Sequence, residues 1–327
     1  MQKEEKLENI TIKRVHLYEI KSAIQKSKVD LLHAHQYRLY HTDIAIKAAS
    51  NSNMPSVITL HGVYPGSDLL RRIYYYLHNL LLAPRTLKLV KRIIASTEIE
   101  ATRILQLGAE KHKISFIPNA VDLDEIVQFN PNQIISKELS LKYKIRYPTI
   151  MYTGHLAWNK RVEDAIDSMK LVLKEYPKAK LLIVGKDWGR RSYLEKRVRE
   201  QGITDNVIFT GFVTREELLH LYHLTDIFVM TSFYEAIPTV VLEAMAHKIP
   251  VIATNLSGTN LIENEKNGLL YPVGDTEILA KNICKLLNGD FNMQALVKNA
   301  YDILVERYTW KVVSKQIQSL YADVLNN

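Results

Sequence analysis

Short runs rich in Val, Ile and Leu recur along the chain and alternate with stretches whose apolar residues fall at helical spacing. The runs are VDLLHAH (29–35), PSVITLHG (55–62), RIIAS (92–96), KISFIPN (113–119), PTIMYTG (148–154), AKLLIVG (179–185), NVIFTG (206–211), DIFVMTS (226–232) and KIPVIAT (248–254). Between them lie segments such as RVEDAIDSMKLVLKEY and RSYLEKRVREQG, with the period of an amphipathic helix. Continuous apolar runs, rather than alternating ones, belong to strands covered on both faces, and intervening helices supply that cover. The pattern predicts a doubly wound α/β chain with parallel sheets.

The pattern weakens between residues 119 and 147, where VDLDEIVQFNPNQIISKELSLKYKIRYP carries two prolines and few large apolar clusters. That stretch reads as a linker. Two α/β domains are expected, 1–135 and 140–308, with a last helix over 309–326 (WKVVSKQIQSLYADVL within it) bracing the first domain. A charged helical segment, IKRVHLYEIKSAIQKSK, is expected directly before VDLLHAH.

Composition narrows the class. The 327 residues are 47% hydrophobic and 24% charged, ordinary for a globular protein of two domains. One cysteine, Cys284, excludes an internal disulfide and fits a reducing, cytoplasmic compartment. No apolar run reaches the roughly 18 residues of a membrane span. Residues 1–148 hold 22 Lys+Arg against 14 Asp+Glu, so the net charge of +8 resides in the first half. Arg71, Arg72, Arg85, Lys88, Lys91 and Arg92 occur with no acidic residue between Asp68 and Glu98. Two readings stay open: a solvated helix face, or a peripheral contact of residues 71–92 with anionic lipid or a phosphorylated partner.

Candidate chemistry concentrates in SFYEAIPTVVLEAMAHKIPVIAT, residues 232–254. Pro238 suits the first position of a helix, where its missing N–H costs nothing, and the helix is expected to run from Pro238 to His247. Glu235 then lies in the preceding loop and Glu243 on the second turn, roughly 10 Å apart by helix and strand rises. Between them the N–H groups of Thr239 and Val240 open an anion site at the helix N-terminus. Two carboxylates flanking a phosphate cradle suit the hydroxyls at either end of a nucleoside-diphosphate sugar. The bare spacing recurs by chance; its position at the carboxyl end of a parallel strand is what gives it weight.

This stretch resembles the signature of the retaining glycosyltransferases of family 4 ("glycosyl transferase group 1"). VDLLHAH, PSVITLHG, RIIASTEIEATRILQLG, ISFIPNAVD, YTGHLAWNKRVEDAI, LLIVGKDWG, VIFTGFVTREELLHLYHLTDIFVMTS and NGLLYPVGD follow in that family's order. The resemblance implies a GT-B fold, two Rossmann-like domains facing a cleft, and metal-independent hexosyl transfer from a nucleotide sugar to a carbohydrate or lipid-linked acceptor hydroxyl. It implies no cofactor, no metal site and no nucleic-acid partner. Catalytic roles fall to His61, Lys160 and Glu235, with His61 facing the donor sugar and its phosphate. The donor-binding set is Gly154, His155, Lys160, Arg161, Glu235, Ala236, Ile237, Thr239, Val240, Glu243, Ser257 and Gly258, Glu235 touching the sugar and Glu243 the ribose.

Several positions depart from the family pattern. The usual diphosphate arginine is His155, which lacks a guanidinium fork, and Arg161 stands as its substitute. Ala236 and Lys248 replace glycines, Ser257 and Gly258 stand for Gly-Gly, and Asn260 replaces an acid. The first strand–helix units of the family's N-terminal domain have no counterpart, so the first sheet should be small, with an edge open to self-association. These departures leave an alternative: an inactive nucleotide-sugar-binding or regulatory relative acting with a partner. A phosphorylase or epimerase on the same fold has no supporting motif. His33 and His35 share a strand face near His61, but without a fourth ligand a structural role is expected over zinc. Asp122-x-Asp124 reads as a helix cap rather than a metal motif.

Overall fold

The structure is a computed structural model that describes residues 4–7, 10–62, 69–256 and 261–326. The chain divides into two compact units, residues 1–118 with 315–327, and residues 119–314. All nine predicted runs form strands, and both main sheets are parallel.

The first unit opens with an antiparallel pair, β1 (Glu4–Leu7) and β2 (Ile10–Lys13). The helix expected over IKRVHLYEIKSAIQKSK is therefore shorter than predicted: β2 takes its start, and α1 covers only Ile20–Lys26, packing on the helix that follows. β-branched Ile10, Thr11 and Ile12 favour the strand at this point. Then follow β3 (Leu32–His35), α2 (Tyr40–Asn51), β4 (Ser56–Thr59), α3 (Leu69–Leu81), α4 (Ala83–Leu89), β5 (Arg92–Ala95), α5 (Glu98–Gln106) and β6 (Ile114–Phe116). The four strands β3–β6 lie in chain order, so this sheet never reverses direction, and β3 forms one edge. Ile46, Ile58, Leu60, Leu87, Ile93 and Ile104 fill its core.

The second unit begins earlier than expected. Residues 119–147, read as a linker, hold α6 (Leu123–Gln128) and α7 (Gln133–Lys142), capped by the side chains of Asp122 and Asn132. Ile126, Leu139 and Tyr143 are buried in the second unit's core, which moves the boundary from 135–140 to 118–119. Short helices broken by Pro131 carry weak periodicity, although each buries apolar residues.

The remaining elements are β7 (Thr149–Thr153), α8 (Val162–Glu175), β8 (Lys180–Val184), α9 (Arg191–Glu200), β9 (Val207–Gly211), α10 (Arg215–His223), β10 (Ile227–Met230), α11 (Thr239–Ala246), β11 (Val251–Thr254), β12 (Leu269–Tyr271), α12 (Thr276–Asn288), α13 (Met293–Arg307) and α14 (Trp310–Asn326). Residues of α14 from 315 onward group with the first unit, where Asp323 pairs with Arg92 at 2.5 Å. The strand order is β12-β11-β10-β7-β8-β9. β12, three residues long, escaped the pattern because so short a run shows no period.

Neighbouring residues on β7 point to opposite faces, and both are fully buried: Met151 joins one core layer and Ile150 the other. That two-sided cover is what the continuous apolar runs encode. The chain winds from β7 outward to β8 and β9, then crosses back to β10, which pairs with the other side of β7. The sheet therefore reverses between β7 and β10, and loops at their carboxyl ends diverge around a crevice. Among the described residues, no helix is long and apolar enough to cross a membrane.

Candidate active site at the sheet reversal

The loops after β7 and β10 are stitched together. Thr231 Oγ1 donates to the Lys160 carbonyl at 2.6 Å, and the Phe233 N–H donates to the Asn159 carbonyl at 3.1 Å. Lys160 closes a single 3₁₀ turn, Trp158–Lys160. Its Nζ lies 2.5 Å from Glu235 Oε1, and Ser232 Oγ donates to the same oxygen at 2.7 Å. Lys160 and Glu235 are partly buried, so the pair is less screened by water than a surface pair. Asn119 Nδ2 donates to the Ile237 carbonyl at 2.7 Å and fixes the far end of the Glu235 loop.

A cavity of about 400 Å³ opens beside this pair, lined by Gly154, His155, Lys160, Gly185, Lys186, Ser232, Glu235, Thr239 and Val240, with Phe212, Val213, Leu218 and Met230 as its apolar wall. The helix α11 starts one residue later than expected, with Pro238 as its N-cap at φ −72° and ψ 111° rather than its first residue. The first carbonyl-bonded N–H groups are those of Val241 and Leu242, both accepted by Pro238. The Thr239 and Val240 ends of the helix thus face the cavity with their backbone dipoles.

Close backbone approach shapes the floor. A Cβ at Gly185, where φ is 145°, would lie 1.9 Å from the Gly154 carbonyl oxygen, so the loops after β7 and β8 cross where only glycine fits. The Leu156 N–H donates to the Lys186 carbonyl and the Trp188 N–H to the Leu156 carbonyl, at 2.9 and 3.2 Å. Trp188 stacks on His155, ring centroids 4.2 Å apart. Burial, then the charges of Lys160 and Lys186, hold the His155 pKa below its ordinary value, so the ring is a neutral hydrogen-bonding group.

The predicted residues separate. Gly154, His155, Lys160, Glu235, Thr239 and Val240 come together at one cavity. Ala236 and Ile237 belong to the same loop, Ile237 buried in the core. Arg161 is turned elsewhere: its Nε and Nη2 grip buried Asp164 at 2.7 and 2.8 Å, and it does not line the cavity, so it does not replace an arginine at His155. A left-handed backbone at Arg161, φ 46°, points its side chain toward α8. Glu243 lies outside the lining, its two oxygens held by Arg215 Nη1 at 2.6 Å and Tyr222 Oη at 3.0 Å. Arg215 also binds Glu125 on α6. Ser257, Gly258 and Asn260 lie outside the described residues.

Sequence reasoning overlooked Lys186. It follows β8 in GKDWG, and the only signal was its place at the carboxyl end of a strand next to the reversal. Asp187 instead holds the turn that leads into α9, accepting from the N–H groups of Gly189, Arg190 and Arg191 at 2.8, 2.9 and 3.0 Å.

His61 belongs to the first unit, at the end of β4, in a left-handed conformation with φ 51°. The buried carboxylate of Glu100 accepts from the N–H groups of Gly62 at 2.5 Å and Ser96 at 2.7 Å, which fixes the loop carrying His61. His35 Nδ1 and His61 Nε2 bond each other at 2.8 Å, while His33 Nε2 meets Thr59 Oγ1 at 2.8 Å and its Nδ1 meets the Tyr321 hydroxyl. The three rings stack in series, His33 on His35 and His35 on His61, with centroids 4.3 and 5.1 Å apart. Among the described residues no group of three or more His, Cys, Asp or Glu is placed to hold a metal ion. Asp122 accepts from the Glu125 N–H at 3.1 Å, the cap the sequence suggested.

Known proteins share both the pattern and the fold. Residues 8–125 match the family model Glycosyltransferase Family 4. N-acetyl-alpha-D-glucosaminyl L-malate synthase of Bacillus anthracis is 25% identical over 315 residues, covering 93% of this chain and 77% of that protein. A UDP-Gal:alpha-D-GlcNAc-diphosphoundecaprenol alpha-1,3-galactosyltransferase of Escherichia coli is 24% identical, over 96% of this chain and 79% of its own. Anabaena HepE, crystallised with UDP and glucose, superimposes with a TM-score of 0.80 at 20% identity, over 94% of this chain and 81% of its own. Sucrose-phosphate synthase of Thermosynechococcus elongatus superimposes with a TM-score of 0.76 at 22% identity, over 95% of this chain and 77% of its own. Two parallel-sheet units and these superpositions identify the GT-B fold. The model of the glycosyl transferases group 1 matches residues 137–303, half of the chain and all of the loops that build the cavity, and the chain belongs to that family.

Proposed function

We propose that the protein transfers a hexosyl group from a nucleoside-diphosphate sugar to an acceptor hydroxyl of a glycan or lipid-linked sugar, with retention at the anomeric carbon and without a metal ion. The observation that carries this reading is the Lys160–Glu235 pair at the sheet reversal, beside the N-terminus of α11. Two lysines and a helix N-terminus supply fixed positive charge where a diphosphate leaving group becomes more negative, which is the role a cation plays in metal-assisted transfer. HepE holds UDP and glucose on the same fold, which supports a nucleotide donor here.

In this reading Lys160 and Lys186 hold the diphosphate, and Glu235, released from Lys160 when the phosphates arrive, accepts a hydroxyl of the transferred sugar. The leaving phosphate takes the acceptor proton on the same face, so no carboxylate forms a covalent intermediate. His61, set by the Glu100-held loop, serves the sugar and its phosphate. Buried, unpaired Cys284 agrees with work in the cytoplasm, and the basic residues of 71–92 agree with work at an anionic membrane surface. Within that stretch Arg92 is paired with Asp323.

The test is a panel of UDP-, GDP- and ADP-sugars, first by thermal shift, then by donor turnover with and without chelator. NMR of the product reads the anomeric configuration. Binding without turnover of any donor would return the protein to the inactive-relative reading, and chelator-sensitive turnover would overturn metal independence.

A further inference from the structure

The helix α3, LLRRIYYYLHNLL, is amphipathic in the reverse of the usual sense. Leu69, Leu70, Ile73, Leu77, Leu80 and Leu81 recur at helical spacing and form one stripe, and every one is exposed, Leu69 at 72% and Leu70 at 79%. Tyr76 adds a ring at the stripe's margin, 68% exposed. The opposite face is polar and is the one that packs on the protein. His78, fully buried, donates from Nε2 to Asp43 Oδ2 at 2.8 Å, and Asp43 is also held by the Thr86 hydroxyl at 2.6 Å. Asn79 Oδ1 accepts from Tyr37 Oη and Arg38 Nε, both at 3.1 Å. The helix is fixed by polar contacts, which turns its apolar stripe outward.

We propose that α3 lies flat in the surface of an anionic lipid leaflet, with this stripe inserted among the acyl chains. Its charge pattern selects that occupant. Arg71 and Arg72 on α3, with Arg85 and Lys88 on α4, are all exposed, and neither helix carries an acidic residue. A second copy of the chain docking face to face would bring these cations together with no carboxylate from either helix to answer them. An anionic bilayer offers an apolar interior and negative headgroups at once. Thirteen residues, about 20 Å at the helical rise, suit an interfacial helix and fall short of a span. The proposal goes beyond electrostatic attraction: a helix held by insertion stays bound when salt screens the charges. It touches the transferase reading only in the acceptor it favours, a lipid-linked hydroxyl, and its test reads no sugar transfer.

Flotation of the full chain with phosphatidylcholine vesicles, and with vesicles containing phosphatidylglycerol, measures it at about 0.1 M and about 1 M salt. Binding to the anionic vesicles is expected to persist in part at the higher salt. The double substitution L70E/L77E is expected to weaken it about 100-fold, by removing two inserted side chains. Both positions are exposed, so unfolding temperature and donor turnover in solution should stay unchanged. Should the double variant lose its fold, Leu77→Trp decides instead: its emission is expected to shift to the blue on anionic vesicles. Binding fully released by salt, binding indifferent to L70E/L77E, an unshifted Trp, or lipid-free dimers abolished by L70E/L77E would each overturn insertion.

Discussion

Lys160 Nζ lies 2.5 Å from Glu235 Oε1, so the loops after β7 and β10 are joined by an ion pair at the point where the sheet reverses. The pair sets a cation and a carboxylate side by side at the cavity, each holding the other in place. The two members should respond differently to substitution. Lys160→Met is expected to weaken UDP binding by about 1.5–3 kcal/mol, the range of a charged hydrogen bond. Glu235→Gln is expected to leave UDP affinity within about threefold while lowering turnover about 100-fold, because its partner is the sugar. Calorimetry with UDP beside turnover assays separates them, and equal losses of UDP affinity would refute this division.

Glu243, expected from the resemblance to contact the ribose, holds protein partners in the structure. It ties Tyr222, a fully buried tyrosine, to Arg215, which in turn holds Glu125. Glu243→Ala leaves a buried hydroxyl with a weaker partner, so a stability loss of about 1–2 kcal/mol is expected together with weaker nucleotide binding. Glu243→Gln should recover most of the stability and less of the affinity. Chemical denaturation and calorimetry on the same samples test this; loss of affinity with unchanged stability in Glu243→Ala would show that the bonds to Tyr222 and Arg215 contribute little.

Lys186 offers the charge that His155 does not. Removing it should cost phosphate affinity and salt sensitivity together: Lys186→Met is expected to raise the Kd for UDP about tenfold and to flatten its dependence on salt. Uridine, lacking phosphates, should bind both proteins alike. Unchanged UDP affinity would assign the whole diphosphate to Lys160 and α11.

Acid should destabilise the first unit through His33. Burial, with the neighbouring His35 and His61, pushes the His33 pKa from 6.5 down to about 4. The folded state therefore prefers the neutral ring, and the unfolded state binds the proton first. The stability this ring contributes is full above about pH 6.5 and is lost as pH falls toward about 4. Thermal melts across that window should fall more steeply for the wild type than for His33→Asn. Parallel curves would mean the ring is protonated equally in both states.

The sequence by itself determined the layered plan. Strands buried on both faces are apolar nearly throughout, so β4, β5, β7, β8, β10 and β11 were legible as continuous runs. The less buried edge strands β3, β6 and β9 were legible as shorter ones, and the helices between as periodic stretches. It also located Glu235 and, to within one residue, the start of α11, because a strand end followed by a helix start is a local event, while Lys160 came from the resemblance to the family. Tertiary structure decided what side chains do once placed. Arg161 is next to Lys160 in the chain, yet it pairs with Asp164, because its left-handed backbone and a buried carboxylate one helical turn away outcompete the cavity. Lys186 reaches the site from a different strand, a proximity created by the sheet order alone. The residues of α6 and α7 are too few for a clear period, and only the core they enter shows to which unit they belong. In α3 the sequence displays both faces of an amphipathic helix; which one meets solvent follows from Asp43 and Asn79, whose hydrogen bonds need partners from α2, α4 and the loop after β3. Local pattern encodes burial and period, whereas the choice among polar partners depends on distances that exist only after the sheets have formed.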